Sequence, residues 1–576
     1  MSVRSPYPDN NIPETDLWSL LFADRKRAFS DDKVISQNAF SNHSITYADA
    51  RTTSAQFGQS LRKAFGFSKG DVLALFSPND ADYSIVACGA LWAGGIVTPI
   101  SGGFGVQEVK YQLTQTKAKV LVTHERNLKV AREAATQSGI LEDRILLLGE
   151  IGSTSLVNKH FRRLLNGSVE TSGTPSPPVP INAHKDVAFL PYSSGTTGLP
   201  KGVILTHRNL IAALLAVTVG ENKTPPGKPR LAPHEDNIIA FLPFAHIYSL
   251  MLLVLLPLYQ GFTTIVLSAY SLNAFLSTIS KYRITYAFVV PPILLQLSQS
   301  PEVLSYDLSS LRGFAVGAAP ISTSIIDAVY KRLGIPTKQV YGLTETSPGI
   351  SVQKWDSWNT AKGSIGVLLP NVEAKLVPTE TRENNKSTEG ELWVSGPNIF
   401  AGYLNDPAAT AHALPGDGWF RTGDLARYTP EDGAFYITGR SKELIKYKGY
   451  QVSPPELESL LAQHPLIADV AVIGVWSEEQ QTELPRAYCV MSQVGRDRLA
   501  DWSTVTASKM IFGRATKGMA REIERWLAER VAPPKKLRGG VVWIDAVPRN
   551  PSGKILRKEL GKGAAKLDLQ AVMPNL

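Results

Sequence analysis

Residues 192–202 read YSSGTTGLPKG: three glycines, two serines, two threonines, one proline and one lysine in eleven residues. Upstream, Val187-Ala188-Phe189-Leu190 has the pattern of a short buried strand. Downstream, Val203-Ile204-Leu205 reads as a second strand, and Thr206 caps a helix running through Leu210 and Leu214. The stretch is therefore a polar glycine-rich loop between two strands of one sheet. Glycines allow successive backbone N–H groups to converge on one point, which is an anion-binding nest. Ser193, Ser194, Thr196 and Thr197 add hydroxyl donors around Gly195 and Gly198, and Lys201 adds a mobile positive charge. A polyphosphate is the ligand that suits this set. The spacing G-x-x-G-x-x-K-G is not that of the common NTPase loop, G-x-x-x-x-G-K-[ST]. A Gly/Ser/Thr run alone is often a linker, but the tight apolar flanks and the lysine argue for a site.

At 576 residues the chain exceeds what one core supports, so two or more domains are expected. Hydrophobic residues make up 43% and charged residues 19%, the balance of an ordinary globular protein. A net charge of +9 spread over this length describes a solvated surface that attracts anionic small molecules, and no nucleic-acid groove is read from it. Two cysteines, Cys88 and Cys489, exclude a disulfide framework and a zinc cluster. The N-terminal MSVRSPYPDNNIPETD has no signal-peptide core, and the apolar stretch 238–258 is interrupted by Pro243, His246 and Pro257, so no membrane span is expected. The last three residues, Pro574-Asn575-Leu576, are not a Ser-Lys-Leu-type peroxisomal signal, which leaves the cytoplasm as the expected location.

From residue 33 the chain alternates strands and helices: two short strands and a helix, the strand Val72–Phe76, a helix that Asn79 is placed to cap, the strand Ile96–Pro99, a helix over Gln107–Thr116 and the strand Val120–Val122. This alternation predicts a parallel sheet with helices on both faces. Residues 165–181 are rich in Ser, Thr, Pro and Gly and read as a surface linker without chemistry.

The loop 192–202 resembles the signature loop of the adenylate-forming (ANL) superfamily. That superfamily takes in acyl- and aryl-CoA ligases, 4-coumarate–CoA ligases, firefly luciferase and peptide-synthetase adenylation domains. Further strings match in the family's order, from about residue 40 to 560. Phe241-Leu242-Pro243-Phe244-Ala245-His246 resembles the motif whose histidine or aromatic lines the carboxylate end of the acid pocket. Many relatives have an aromatic where this chain has Ala245. Phe288–Ile293, a strand ending in two prolines, borders the acid pocket by resemblance and brings in Val290 and Pro292. Gly317-Ala318-Ala319 is the segment that lies against adenine in the family. In Val340–Thr346 (VYGLTET), the resemblance makes Tyr341, Gly342 and Thr344 nucleotide contacts and Glu345 the Mg²⁺ ligand. Pro348 and Gly349 follow. In 4-coumarate ligases a bulkier residue closes the pocket at the Gly349 position, so glycine there, with Ala245, implies a longer or bulkier acid.

Gly390-Glu391-Leu392-Trp393-Val394 and Gly402-Tyr403 match a family motif read as a structural β-subdomain. In Trp419–Asp424 (WFRTGD), Asp424 is the expected ligand of the ribose diol. Gly439-Arg440 ends the large domain, Arg440 being a further nucleotide contact, and Lys442 stands at the family's hinge. The implied domains are 1–440, AMP-binding, and 441–576, a C-terminal lid. Lys446, Lys448, Gly449 and Gln451 form a basic loop on the lid, and Ser453-Pro454-Pro455-Glu456 reads as a capping box. Lys554, on the Pro/Gly loop 548–554, is implied as the adenylation lysine.

The fold class expected is α/β: a large N-terminal domain of sheets flanked by helices with a β-subdomain, and a small mobile α+β C-terminal domain. The activity implied is that of an ATP-dependent acid–CoA ligase with Mg²⁺, which forms an acyl-AMP and transfers the acyl group to CoA. Lys554, His246, Glu345, Lys446 and Gln451 are its expected catalytic set. Loading of a separate carrier protein, or a luciferase-like oxygenase, are the alternatives.

Overall fold

The computed structural model describes residues 2–23, 26–150, 154–165, 178–193, 199–222, 231–232, 234–378, 388–448, 450–503, 509–550 and 553–561. Among these, three sheets build the large N-terminal part. In the first, an eight-stranded sheet, Val72–Ser77, Ile96–Ser101, Val120–His124 and Ile145–Leu148 run parallel, as the alternation predicts. All six residues of Val72–Ser77 are buried, the signature of a strand covered on both faces. Val187–Phe189 and Lys201–Thr206 extend this sheet as an antiparallel pair, so the loop opens between neighbouring strands. The Thr206 hydroxyl accepts the Asn209 N–H at 3.2 Å and starts the helix His207–Asn222.

The second, nine-stranded sheet has Asn237–Ala240, Thr263–Val266, Tyr286–Val289, Gly313–Val316 and Thr337–Gly342 as its parallel centre. The apolar stretch after Asn237–Ala240 folds as the buried helix Ile247–Gln260 with a π turn at Leu250–Leu255. Pro257 lacks the N–H that an α-helical bond to Leu253 would require, and the wider turn lies just ahead of it. No described helix is long and apolar enough to cross a membrane.

The third sheet is antiparallel and five-stranded: Ser2–Arg4, Glu373–Val377, Glu389–Ser395, Phe420–Thr429 and Ala434–Arg440. The small part that follows packs the hairpin Ile445–Tyr447/Tyr450–Val452 and a three-stranded sheet against the helices Pro454–Leu461, Gln493–Ser503 and Lys509–Ala528. The main core runs to Phe435 and a separate one starts at Ile445. We propose the domain boundary at 440/441 on that changeover.

Three local expectations change. Asn79 does not cap the next helix, which starts at Tyr83 behind Asp82. Its amide donates to the Leu242 carbonyl at 2.9 Å and its oxygen accepts the Phe244 N–H at 2.8 Å. Asparagine matches one backbone donor and one acceptor at once, so here it ties the first sheet to the segment carrying His246. Ser453 precedes its helix, with Pro454 at the first position, but the capping box is absent. The serine hydroxyl bonds the Thr438 carbonyl and Glu456 pairs with Lys535. Gly402-Tyr403 is not part of the third sheet. It pairs with Ile204 and Val203 at the edge of the first.

Asn79 is 5% exposed, so Asn79→Ala leaves a buried N–H and C=O without partners. The expected loss is about 2–3 kcal/mol in urea unfolding, and a loss under about 0.5 kcal/mol contradicts the tie.

Candidate functional site

A cavity of about 950 Å³ lies where the ends of the first two sheets, the third sheet and the small domain converge. Strand ends in α/β sheets are where ligands bind, because side chains and backbone there are free of sheet packing. Ser193, Lys201, Ala245, His246, Ala318, Tyr341, Gly342, Thr344, Glu345, Pro348, Gly349, Arg440, Lys442 and Lys554 all line it. These residues come from six separate stretches of sequence, and the fold gathers them at one place.

At one end, Lys201 pairs with Asp406 at 2.9 Å and lies 5.1 Å from the centre of the Tyr403 ring. The Tyr403 hydroxyl donates to Glu345 Oε1 at 2.9 Å. Glu345 is buried, so this phenol holds its carboxylate in place at the cavity. Tyr403 and Asp406 are absent from the sequence-based site. The only signal for Tyr403 is its place in the Gly402-Tyr403 motif, and Asp406 has none. Ser194, Gly195, Thr196, Thr197 and Gly198 lie outside the described residues, as does Gly449.

Asp424, 2% exposed, stands just behind the wall formed by Thr422, Gly423 and Arg440. Arg440 Nε donates to its Oδ1 at 2.7 Å, and the Tyr341 hydroxyl donates to its Oδ2 at 2.5 Å. Burial and the Asp424 charge push the Tyr341 phenol far above its ordinary range, so it remains a donor. Ala318 stands at φ +68°, a left-handed backbone that turns the chain sharply after the strand Gly313–Val316. Gly317 and Ala319 are outside the lining. A Cβ on Gly317 would come within 2.8 Å of Val340 Cγ2, so the glycine serves close packing of two strands.

His246 Nδ1 accepts the Tyr248 N–H at 3.3 Å, which leaves Nε2 to carry the proton of a neutral ring. Burial, with the Lys554 charge adding to it, pushes the imidazole down to about 4. Lys554 belongs to the small domain and reaches this point because its loop is braced. Its N–H donates to Asn550 Oδ1 at 2.9 Å, and Arg549 donates to the Gly553 carbonyl at 3.1 Å. Arg549 also grips Asp469 with bonds of 2.9 and 3.1 Å. Among the described residues the Lys554 ammonium has no ion-pair partner. Burial, then the Arg440 charge, lowers its pKa, while Glu443, Asp424 and Glu345 oppose the shift.

Val290 and Pro292, expected in the acid pocket, are not in its wall. Val290 is the residue before the helix Pro291–Gln299, and Pro292 lies in its first turn. A Cβ on Gly553 would meet Pro292 Cδ at 3.0 Å and Val290 Cβ at 3.3 Å. They are the seat on which the Lys554 loop rests. Lys446, Lys448 and Gln451 stand exposed on the hairpin, away from the cavity wall.

The model of the AMP-binding enzyme family matches residues 22–404, and that of the AMP-binding enzyme C-terminal domain matches 456–554. The chain belongs to the AMP-binding enzyme family. This AMP-binding enzyme is 34% identical over 566 residues to a protein of Dictyostelium discoideum named probable 4-coumarate–CoA ligase 1, covering 96% of each chain. It is 34% identical over 573 residues to 4-coumarate–CoA ligase 1 of Petroselinum crispum, covering 98% of this chain and 97% of that one. Its fold is shared with the ATP-bound MatB of Rhodopseudomonas palustris, at TM-score 0.78 and 24% identity, over 95% of this chain and 98% of that one. An anthranilate CoA ligase in complex with anthranoyl-AMP matches at TM-score 0.78 and 22% identity, over 96% and 97% of the two chains.

With burial and the Lys554 charge pushing it down to about 4, the His246 imidazole is expected to be neutral between about pH 5.5 and 8. In a ¹⁵N-histidine NMR titration its resonance should show no inflection between about pH 5.5 and 8. An inflection near 6.5 contradicts the enclosed site.

Proposed function

We propose that this enzyme activates a carboxylic acid with ATP and passes the acyl group to CoA. The observation that carries the reading is the meeting of Lys554 with His246, Glu345 and Arg440 in one cavity. The relatives named 4-coumarate–CoA ligases support the same chemistry. In the first step the acid's carboxylate oxygen attacks the α-phosphorus of ATP and pyrophosphate leaves with the P–O bonding pair. Such a transfer needs positioning and charge neutralisation more than covalent help. The loop 192–202, with Lys201, is assigned the β- and γ-phosphates, and Asp424 the ribose diol. His246 Nε2–H and the Lys554 ammonium are assigned to the carboxylate, with Lys554 also at the α-phosphate.

Glu345 presents a hard carboxylate fixed by Tyr403, a donor that fits Mg²⁺, and a bound Mg²⁺ would there supply charge neutralisation for the phosphates. In the second step the CoA thiolate attacks the acyl carbon and AMP leaves. The exposed face with Lys446, Lys448 and Gln451 is assigned to that step, so Lys554 must withdraw. Lys442 is the proposed pivot. On one side of it the Ser441 N–H bonds the Gly423 carbonyl at 2.9 Å, and on the other Glu443 pairs with Arg557 at 3.0 Å. The chain is thus tied to the large domain just before Lys442 and to the small one just after.

Gly349 and Ala245 both face the cavity, which supports an aryl acid longer than a bare hydroxycinnamate or a medium- to long-chain acid. A screen of aryl and fatty acids with ATP, Mg²⁺ and CoA, reading thioester by mass, tests the function. Longer acids should give the highest kcat/KM, and a maximum at short aryl acids contradicts the size reading. Lys554→Ala should slow acid-dependent ATP–pyrophosphate exchange by about 10²–10³, equivalent to about 3–4 kcal/mol. It should leave thioester formation from supplied acyl-adenylate largely intact. Lys442→Pro should do the reverse, and equal losses in both half-reactions contradict the pivot.

A further inference from the structure

One residue past the pivot Lys442 stands a carboxylate to which the two steps above give no part. The Glu443 side chain is 18% exposed, and Arg557 Nε donates to its Oε2 at 3.0 Å. The rest of that guanidinium is spent inside the small domain. Nη2 donates to Glu458 Oε2 at 3.1 Å, and Nη1 to Glu458 Oε1 and, at 3.0 Å, to the Val472 carbonyl. Glu458 lies on the helix Pro454–Leu461 and Val472 on the strand Ile467–Ser477. Arg557 itself begins the helix Arg557–Gly561, directly after the segment Lys554-Ile555-Leu556. One arginine thus joins Glu443, a helix, a strand and the foot of the Lys554 loop into a single body.

Toward the large domain Glu443 meets a second arginine. Its N–H donates to the Arg440 carbonyl at 3.0 Å. Arg440 ends the strand Ala434–Arg440 of the third sheet, where its Nε is held by Asp424. Burial opposes the Glu443 charge, yet Arg557, Arg440 and Lys554 together hold its carboxyl below the usual range. Asp424, and after it Glu443, raises Arg440, and Glu443 also opposes the lowering of Lys554. Three cations therefore share this anion, two from the small domain and one from the large. Arg440 and Glu443 flank Lys442, so turning the chain at that residue redirects one side chain against the other.

We propose that Glu443 is a positioning residue: carried by Arg557 and facing Arg440, it holds the lid in the orientation that presents Lys554 to the cavity. An interaction made in one orientation and lost in another shifts their populations by its own free energy. Without the Glu443 charge, the cations at the closed junction lose the anion they share, and the lid leaves that orientation. The first step needs the orientation and the second does not, so Glu443 serves adenylate formation alone. The proposal rests on the two-step reading of the cavity.

The test is Glu443→Gln, which keeps the shape and removes the charge. Acid-dependent ATP–pyrophosphate exchange should fall about tenfold, with thioester formation from supplied acyl-adenylate undiminished. Glu443→Asp keeps the charge on a shorter arm; it should show the same split at smaller size, and it serves as the test if Glu443→Gln does not fold. Glu458→Gln weakens the same arginine away from the junction, so it should lower Tm and leave the ratio of the two half-reactions as it is. Lid orientation is read from the distance between spin labels on Glu133→Cys and Glu479→Cys. Both positions are exposed, one on each domain, and the native Cys88 and Cys489 are buried. Glu443→Gln should shift that distance distribution and Glu458→Gln should not. Equal losses in both half-reactions, an unchanged distance distribution, or the same split in Glu458→Gln overturns the proposal. If no acid drives exchange, yet Glu443→Gln alone shifts the distances, the positioning role stands and the activating reading falls.

Discussion

A cation held at a closed interface, with no ion-pair partner among the described residues, is the constraint on which this structure turns. Lys554 is drawn out of water at the junction of the two domains, and Arg440 nearby makes its charge costlier still. Among the described residues, the carboxylates closest to it in electrostatic terms are engaged elsewhere. Asp424 is held by Arg440 and Tyr341, Glu443 by Arg557, and Glu345 by Tyr403. An anion entering the cavity therefore meets a positive charge that no described ion pair engages, a condition that favours electrostatic stabilisation of a transferring phosphoryl group.

That arrangement needs two kinds of support. The loop is stiffened within its own domain by Arg549, which bridges Asp469 and the Gly553 carbonyl. It is then seated on the large domain through Gly553, whose missing side chain lets the backbone approach Pro292 and Val290. Gly553 has φ +83°, so a substitution there would be strained as well as crowded. The connection at Lys442 is exposed. Such a junction can open without disturbing either core, which suits a lobe that presents Lys554 in one step and the Lys446–Gln451 face in another.

The parts legible from sequence are those whose signal is local. The glycine loop shows itself by composition between two short apolar strands, and the parallel sheet by its alternation. The motif strings carry His246, Glu345 and Lys554 because each sits in a recognisable run of neighbours. What was not legible depends on partners far along the chain. Ser2–Arg4 gives no sign that it pairs with Glu373–Val377, and Asn79 looks like a helix cap because asparagine often is one. Its real partners, Leu242 and Phe244, are more than 160 residues away. Tyr403 likewise acquires its chemistry only when folding brings it to Glu345. The sequence pattern of Val290 and Pro292 points to the cavity, but their contact is with the lysine loop.

The central claim is that the nucleotide occupies the space between the loop 192–202 and Lys554. The most direct measurement is site-resolved amine labelling by mass spectrometry, with and without ATP. ATP should protect Lys554 and Lys201 together while leaving the exposed Lys446 and Lys448 as reactive as before. Unchanged labelling of Lys554 at saturating ATP, or protection confined to Lys446 and Lys448, would contradict the account.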